Sequence, residues 1–238
     1  RKVSQQAEVF YLEAESTPVG FENNRLKHLQ SRQTRGIALR MVVDGKIGFA
    51  STTDLRDPIS IVEAAVEAVP FGPQAHFQLP GATSYALVET YDSAVEAVPL
   101  ERMIELGQTL IDRVRANFPD LVCQAGVSKD TILVRIINSS GGEASYRKSI
   151  FSLALEGLLV RGTDMLFVGE AEASCRPVLD PSATIERTLW QLEMAREKAR
   201  VTTGEYPVIF TPGGVGSALL PPILVALNGK TVFQGASA

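Results

Sequence analysis

The chain has 238 residues, 45% of them hydrophobic and 21% charged, which is enough for a sizeable core and about one to three domains. Its formal net charge is −4 and it holds no dense Lys/Arg cluster, which argues against a protein that grips nucleic-acid phosphates. No stretch reaches the roughly 18 uninterrupted apolar residues of a membrane span; the longest apolar segment, Val215 to Leu227, is shorter and contains Pro221 and Pro222.

The apolar run Val9 to Leu12, bounded by Glu8 and Glu13, predicts a short strand. Phe21 to Arg32 reads as an extended pair. Ile37 to Val43 and Ile47 to Thr53 flank Asp44-Gly45, a strong hairpin signal. Asp57 is then a good N-cap and Pro58 suits a first helical position, with Ile61, Val62, Ala65, Val66 and Val69 on one face. Residues 1–72 are thus expected to form an N-terminal α+β domain. A linker region spans 73–98, and the prolines and glycines of 70–83 are its clearest mark.

A middle α+β domain is expected over 99–203. Leu100, Met103, Ile104, Leu110, Ile111, Val114 and Phe118 have helical spacing, stopped by Pro119. Four strands are predicted next: Leu121 to Ser128, Thr131 to Ile137, Glu143 to Leu159 and Leu166 to Ala173. Their turns fall at Lys129-Asp130, Ser140-Gly141-Gly142 and Gly162-Thr163-Asp164, which makes an antiparallel meander. A helix opens at Pro181-Ser182, with Ile185, Leu189, Leu192 and Ala195 on one face. Grouped strands bracketed by helices give fold class α+β, antiparallel sheets with packed helices. Residues 204–238 read as the start of a third, truncated C-terminal domain. In it Tyr206 to Phe210 is a strand, Thr211 to Gly214 a turn, Val215 to Leu227 a buried helix interrupted by its prolines, and Asn228-Gly229 that helix's C-terminal cap. Lys230 to Ala238 reads as the opening of a strand and turn. With Arg1 in place of Met, this suggests an N-terminal fragment of a longer protein.

Candidate chemistry is sparse. Gly213-Gly214-Val215-Gly216 lacks the third glycine of a dinucleotide fingerprint, because Leu219 stands there. Gly229-Lys230-Thr231 resembles the end of a P-loop, but Leu224 replaces the required glycine. His28 and His76 are too far apart for an HExxH-type zinc site, and His28 is expected to be exposed. No G-x-S-x-G is present, and Ser139-Ser140-Gly141-Gly142 reads as a hairpin loop. Cys123 and Cys175 form no CxxC and read as free thiols of a reducing compartment. The polar start shows no signal peptide, and a cytoplasmic location is expected. Arg32, Arg35 and Arg40, like Arg196, Lys198 and Arg200, read as solvated surface.

Two stretches go beyond generic patterning. One is Phe21 to Lys27, then Arg35 to Arg40, then Asp44 to Leu55. The other is Tyr206 to Ser217, followed by Leu227 to Lys230 and Gln234 to Ser237. In this order they resemble the TldD/PmbA family, once called modulators of DNA gyrase. The resemblance implies a PmbA/TldD-like fold and a zinc-peptidase lineage. Its TldD branch carries an HExxxH motif on a helix after the third-domain strand. Here Pro221, Pro222 and Ala226 stand where that motif's first histidine, glutamate and second histidine would be. The resemblance therefore points to the PmbA (TldE) branch: no catalytic residue, no metal ligand and no cofactor in this chain, with zinc only in a TldD-type partner. It implies pairing with an HExxxH subunit or self-association, a peptide substrate, no membrane and no direct nucleic-acid contact. Pro221, Pro222, Asn228 and Lys230 are the candidate partner or substrate surface. The alternatives are a stand-alone homodimeric scaffold and an independent hydrolase with another site.

Overall fold

The computed structural model describes residues 4–237. The chain divides into two compact units, one ending at Glu197 and one beginning at Lys198.

The first unit is built on one antiparallel seven-stranded sheet in the order β4-β3-β1-β5-β6-β7, with β2 off the path on β1. Its spine is β1 (Gln6–Glu22), far longer than the Val9 to Leu12 run predicts. On one side β1 pairs with β3 (Arg32–Val43) as far as Ser16↔Arg32 and then with β2 (Arg25–Leu29) from Val19 on. On the other side it pairs with β5 (Val122–Asn138). Pro18 falls in the gap where the neighbour changes, so its missing N–H costs little there. β4 (Lys46–Thr52) follows the expected hairpin, with Asp44 and Gly45 at φ +50° and +75°. Both central residues are left-handed, as a type I′ turn requires.

Three strands, not four, make the meander. Lys129-Asp130 is not a turn, because the Lys129↔Phe151 and Asp130↔Ile150 pairs carry β5 straight into β6 (Glu143–Arg161). The polar side chains have partners of their own instead. Lys129 Nζ donates to the carbonyls of Glu96 and Val98 at 2.8 and 2.7 Å, and Asp130 accepts from Ser128 Oγ at 2.8 Å. β7 (Asp164–Ser174) closes the sheet after the expected glycine turn, where Gly162 has φ +65°. The fold is α+β, but strands from 1–72 and 99–203 are hydrogen bonded in one sheet.

Two apolar clusters hold helices against it. α1 (Pro58–Ala68) is capped by Asp57, which accepts from the amides of Ile59 and Ser60. Ile61 and Ala65 pack on Leu39 and Met41. α2 (Ser93–Ala97), α3 (Leu100–Arg115) and α4 (Ser182–Met194) cover the larger core, which includes Phe21, Cys123, Phe151, Leu153, Met103, Leu110 and Ile185. Each such buried side chain contributes about 1.5–3 kcal/mol. Val9, beside the first cluster, and Val19, in the second, lie an even number of residues apart on β1. Side chains alternate across a strand, so both cores occupy one face of the sheet.

The second unit is helical. Tyr206 to Phe210 is not a strand, since no chain pairs with it among the described residues. Thr211 Oγ1 accepts from the Gly214 amide and starts α5 (Pro212–Gly214), so the expected turn is a helix start. A wide π-type turn, Val215–Leu219, leads into α6 (Leu220–Ala226). Prolines at 221 and 222 have no N–H to donate, but in the first turn of α6 those donors would lack intrahelical partners anyway. The regular pattern does break just before them, where the π-type turn ends at Leu219 and α6 begins at Leu220. Asn228 does not end α6 in a left-handed cap: its φ is −65° and its side chain caps α7 (Gly229–Phe233). Lys230 to Phe233 is helix rather than strand.

Candidate functional site

The candidate surface of the second unit is on α6 and α7. Pro221, Pro222, Asn228 and Lys230 are all exposed, and Ala226 is half-buried. Asn228 Oδ1 accepts from the amides of Lys230 and Thr231 at 3.0 and 3.3 Å, so its side chain serves the helix end. The helix expected to be buried is not. Ile223, Leu224, Val225 and Leu227 are exposed, as are Ile209 at 93% and Phe233 at 92%. No described residue between 198 and 237 is fully buried. Together they make an exposed apolar patch on the second unit. Pro221, Pro222 and Ala226 offer neither a lone pair for a metal nor a proton to move. Among the described residues no group of three or more His, Cys, Asp or Glu could hold a metal ion.

His28 on β2 bonds Glu22 at 2.7 Å, exposed as expected, while His76 lies exposed between α1 and α2. Ser139, Ser140, Gly141 and Gly142 form the β5–β6 hairpin loop, with Asn138 Oδ1 accepting from the amides of Ser140 and Gly142. Cys123 is fully buried in the core, and burial pushes its thiol up to about 11, with Arg115 opposing weakly. A thiol so far from ionising is a packing group.

Between the two cores the helix-bearing face of the sheet is open and polar. Tyr11 donates to Glu13 at 2.6 Å, and Arg35 donates to the other Glu13 oxygen at 2.6 Å. The Tyr11 hydroxyl, then the Arg35 guanidinium, hold the Glu13 carboxyl below its usual range, and the same carboxylate raises the Tyr11 phenol. Arg135 stands directly across from Tyr11, and Arg147 across from Leu133. Arg147 bonds Glu96 at 2.6 Å and stacks on Tyr91 at 4.0 Å.

Next to this strip lies a cleft of about 800 Å³ between residues 85–91 and the edge of β6, lined by Tyr85, Leu87, Val88, Leu133, Tyr146 and Arg147. Sequence reading missed it by treating 73–98 as linker. The signal was the apolar run Tyr85 to Val88 inside that linker. A second, open groove of about 630 Å³ lies over Gln124, Ala154, Glu156, Phe167 and Gly169. At its rim Gln191 pairs with both backbone groups of Gly169, which closes that point of the β7 edge.

Comparison with known proteins sets this geometry in a lineage. Residues 7–69 match the family model described as PmbA/TldA metallopeptidase domain 1. An uncharacterised protein of Methanocaldococcus jannaschii is 22% identical over 234 residues, which are 98% of this chain and 53% of that protein. The structure of TldE from Thermococcus kodakarensis superposes with TM-score 0.82 at 18% identity, covering 99% of this chain and 55% of that one. A proposed modulator of DNA gyrase from Bacteroides thetaiotaomicron gives TM-score 0.84 at 18% identity, covering 97% of this chain and 55% of the other. The chain thus spans about half the length of the relatives it matches.

Proposed function

We propose that the chain, whose residues 7–69 match the first-domain model of the PmbA/TldA metallopeptidases, belongs to the TldD/PmbA family and is part of the non-metal-binding subunit of a heterodimeric metallopeptidase. The observation that carries this reading is the stretch Leu219 to Leu227: prolines and alanine stand where a zinc helix needs histidines and a glutamate, and apolar side chains surround them. Zinc does not fit these residues, which supply no imidazole, thiolate or carboxylate. The metal would sit in a TldD-type partner bearing HExxxH, and this chain would shape the chamber that receives a peptide.

The exposed α6–α7 surface, with Pro221, Pro222, Asn228 and Lys230, is the proposed partner contact. Such a subunit needs neither a nucleic-acid groove nor a membrane anchor. No helix among the described residues is long and apolar enough to cross a membrane. The reducing cytoplasm suits the buried free thiol of Cys123.

The test is to purify the full-length protein alone and after co-expression with an HExxxH relative. Stable association, with zinc and peptide cleavage present only in the complex, is the expected result. Zinc and peptidase activity in the isolated protein, or failure to associate, would overturn the reading.

A further inference from the structure

We propose that the free edge of β6 beside residues 85–91 captures an extended peptide as an added strand, with Arg135 taking an acidic group of that peptide. The proposal rests on the cleft and not on the subunit role.

The edge is left open by the topology. β7 pairs with β6 from Arg161 only as far as Phe151. Below Phe151 the outer side of β6 meets residue 90 instead. The Ser149 amide donates to the Thr90 carbonyl at 3.0 Å, and Thr90 Oγ1 donates to the Arg147 carbonyl at 2.7 Å. Backbone groups alternate sides along a strand, so the Arg147 N–H and both backbone groups of Ser145 point the same way. The chain returns to this edge near Gly81, which bridges Gly141. Between these two anchors residues 82–89 stand off β6, and the cleft is the space between. An unpaired run of strand-edge donors and acceptors is a template for another extended chain.

The walls suit a peptide's side chains. Leu87 is 96% exposed, Val88 69%, Tyr85 59% and Tyr146 54%, and all four line the cleft. Main-chain hydrogen bonds would supply affinity and alternate pockets the selectivity. Charge decides the class of peptide. Arg35 and Arg147 are held by Glu13 and Glu96. Arg135 stands opposite Ser145 on the neighbouring strand, exposed and with no carboxylate bonded to it among the described residues. A side-chain carboxylate or a free C-terminus beside Ser145 would complete that cation.

The probe is the fluorescein-labelled hexapeptide Thr-Val-Thr-Val-Thr-Asp with a free C-terminus, titrated by anisotropy against the 238-residue chain. Two twins are N-methylated, each at one of the two alternating sets of amides, and a third is an amidated peptide ending in Asn. Saturable binding is expected. N-methylation should weaken it at least tenfold in one of the two alternating patterns, and Arg135→Ala should weaken the acidic peptide about fivefold while leaving the neutral twin unchanged. Leu87→Ser, at a fully solvated position, should weaken both, with circular dichroism as the check on folding. Three results would overturn the proposal: no binding at millimolar protein, equal binding of both N-methylated patterns, or a dimer of this chain that Leu87→Ser dissolves, which would make a second copy the occupant. Because no partner subunit is used, failure here leaves the heterodimer experiment to stand or fall separately.

Discussion

Gly107 lies in the middle of α3, where helix propensity alone says that alanine should stabilise by roughly 0.8–1 kcal/mol. The packing says otherwise. A β-carbon at Gly107 would stand 2.9 Å from Cδ2 and Cζ of Phe21, with Cε2 nearer still. Phe21 cannot give way easily: it is 2% exposed, at the end of β1, and is held across β5 by the Phe21↔Ala125 pair. Forcing a methyl into a filled core costs about 1–3 kcal/mol or more. Gly107→Ala should therefore destabilise by a net ~1–2 kcal/mol, which for a protein of this size lowers the melting midpoint by about 2–8 °C. Phe21→Leu alone should cost about 1–2 kcal/mol, yet it vacates the space the methyl needs. In the Phe21→Leu background Gly107→Ala should be neutral or stabilising by up to ~1 kcal/mol. Chemical denaturation of the four proteins of this cycle reads the coupling directly. A higher melting point for Gly107→Ala in the native background would show that α3 does not sit on Phe21 as described, and the reasoning would fail.

Three further outcomes follow from the same structure. Asp57→Ala removes the side chain that accepts from Ile59 and Ser60, and should cost about 1 kcal/mol in denaturant titration, while Asp57→Asn should retain most of it; equal loss in both would point to charge rather than capping. Cys123, fully buried and with its thiol raised to about 11, should stay unmodified by a thiol reagent at pH 8 while the half-buried Cys175 reacts, and should become reactive only on unfolding; rapid labelling of Cys123 in the native protein would contradict its place in the core. Glu13 has its folded pKa depressed below the unfolded value, so its stabilising contribution is present above the unfolded carboxyl range and is lost as pH falls through the folded value. Glu13→Gln should accordingly lower stability at neutral pH and flatten part of the acid limb, so that the two proteins converge as pH falls; an unchanged acid limb would show that the Tyr11 and Arg35 contacts carry no linkage.

Where sequence and fold part company, the cause is local chemistry that pattern reading weighs wrongly. The Asp44-Gly45 hairpin, the Asp57 cap and the core face of α3 are legible because turn, cap and periodicity each have one dominant physical reading. β1 is legible only over Val9 to Leu12, because further along its helix-side positions include Glu13, Glu15 and Thr17, which cross the polar strip between the two cores. Alternation of apolar and polar residues fails wherever neither face of a strand meets a core. Lys129-Asp130 imitates a turn for a related reason: Asp130 is answered by its neighbour Ser128, but the Lys129 charge is answered by carbonyls of Glu96 and Val98, which no local window contains. The β6 cleft was hidden one level higher. Its backbone donors are free because β7 stops at Ser174 opposite Phe151, and its apolar wall is a run that looked like linker between prolines. Strand length and register set which edge is open, and both depend on pairing across the whole sheet. By contrast, that Pro221, Pro222 and Ala226 carry no metal-binding group is a matter of residue type alone. Residue chemistry of that kind is readable from sequence, while a site defined by unpaired backbone needs the fold.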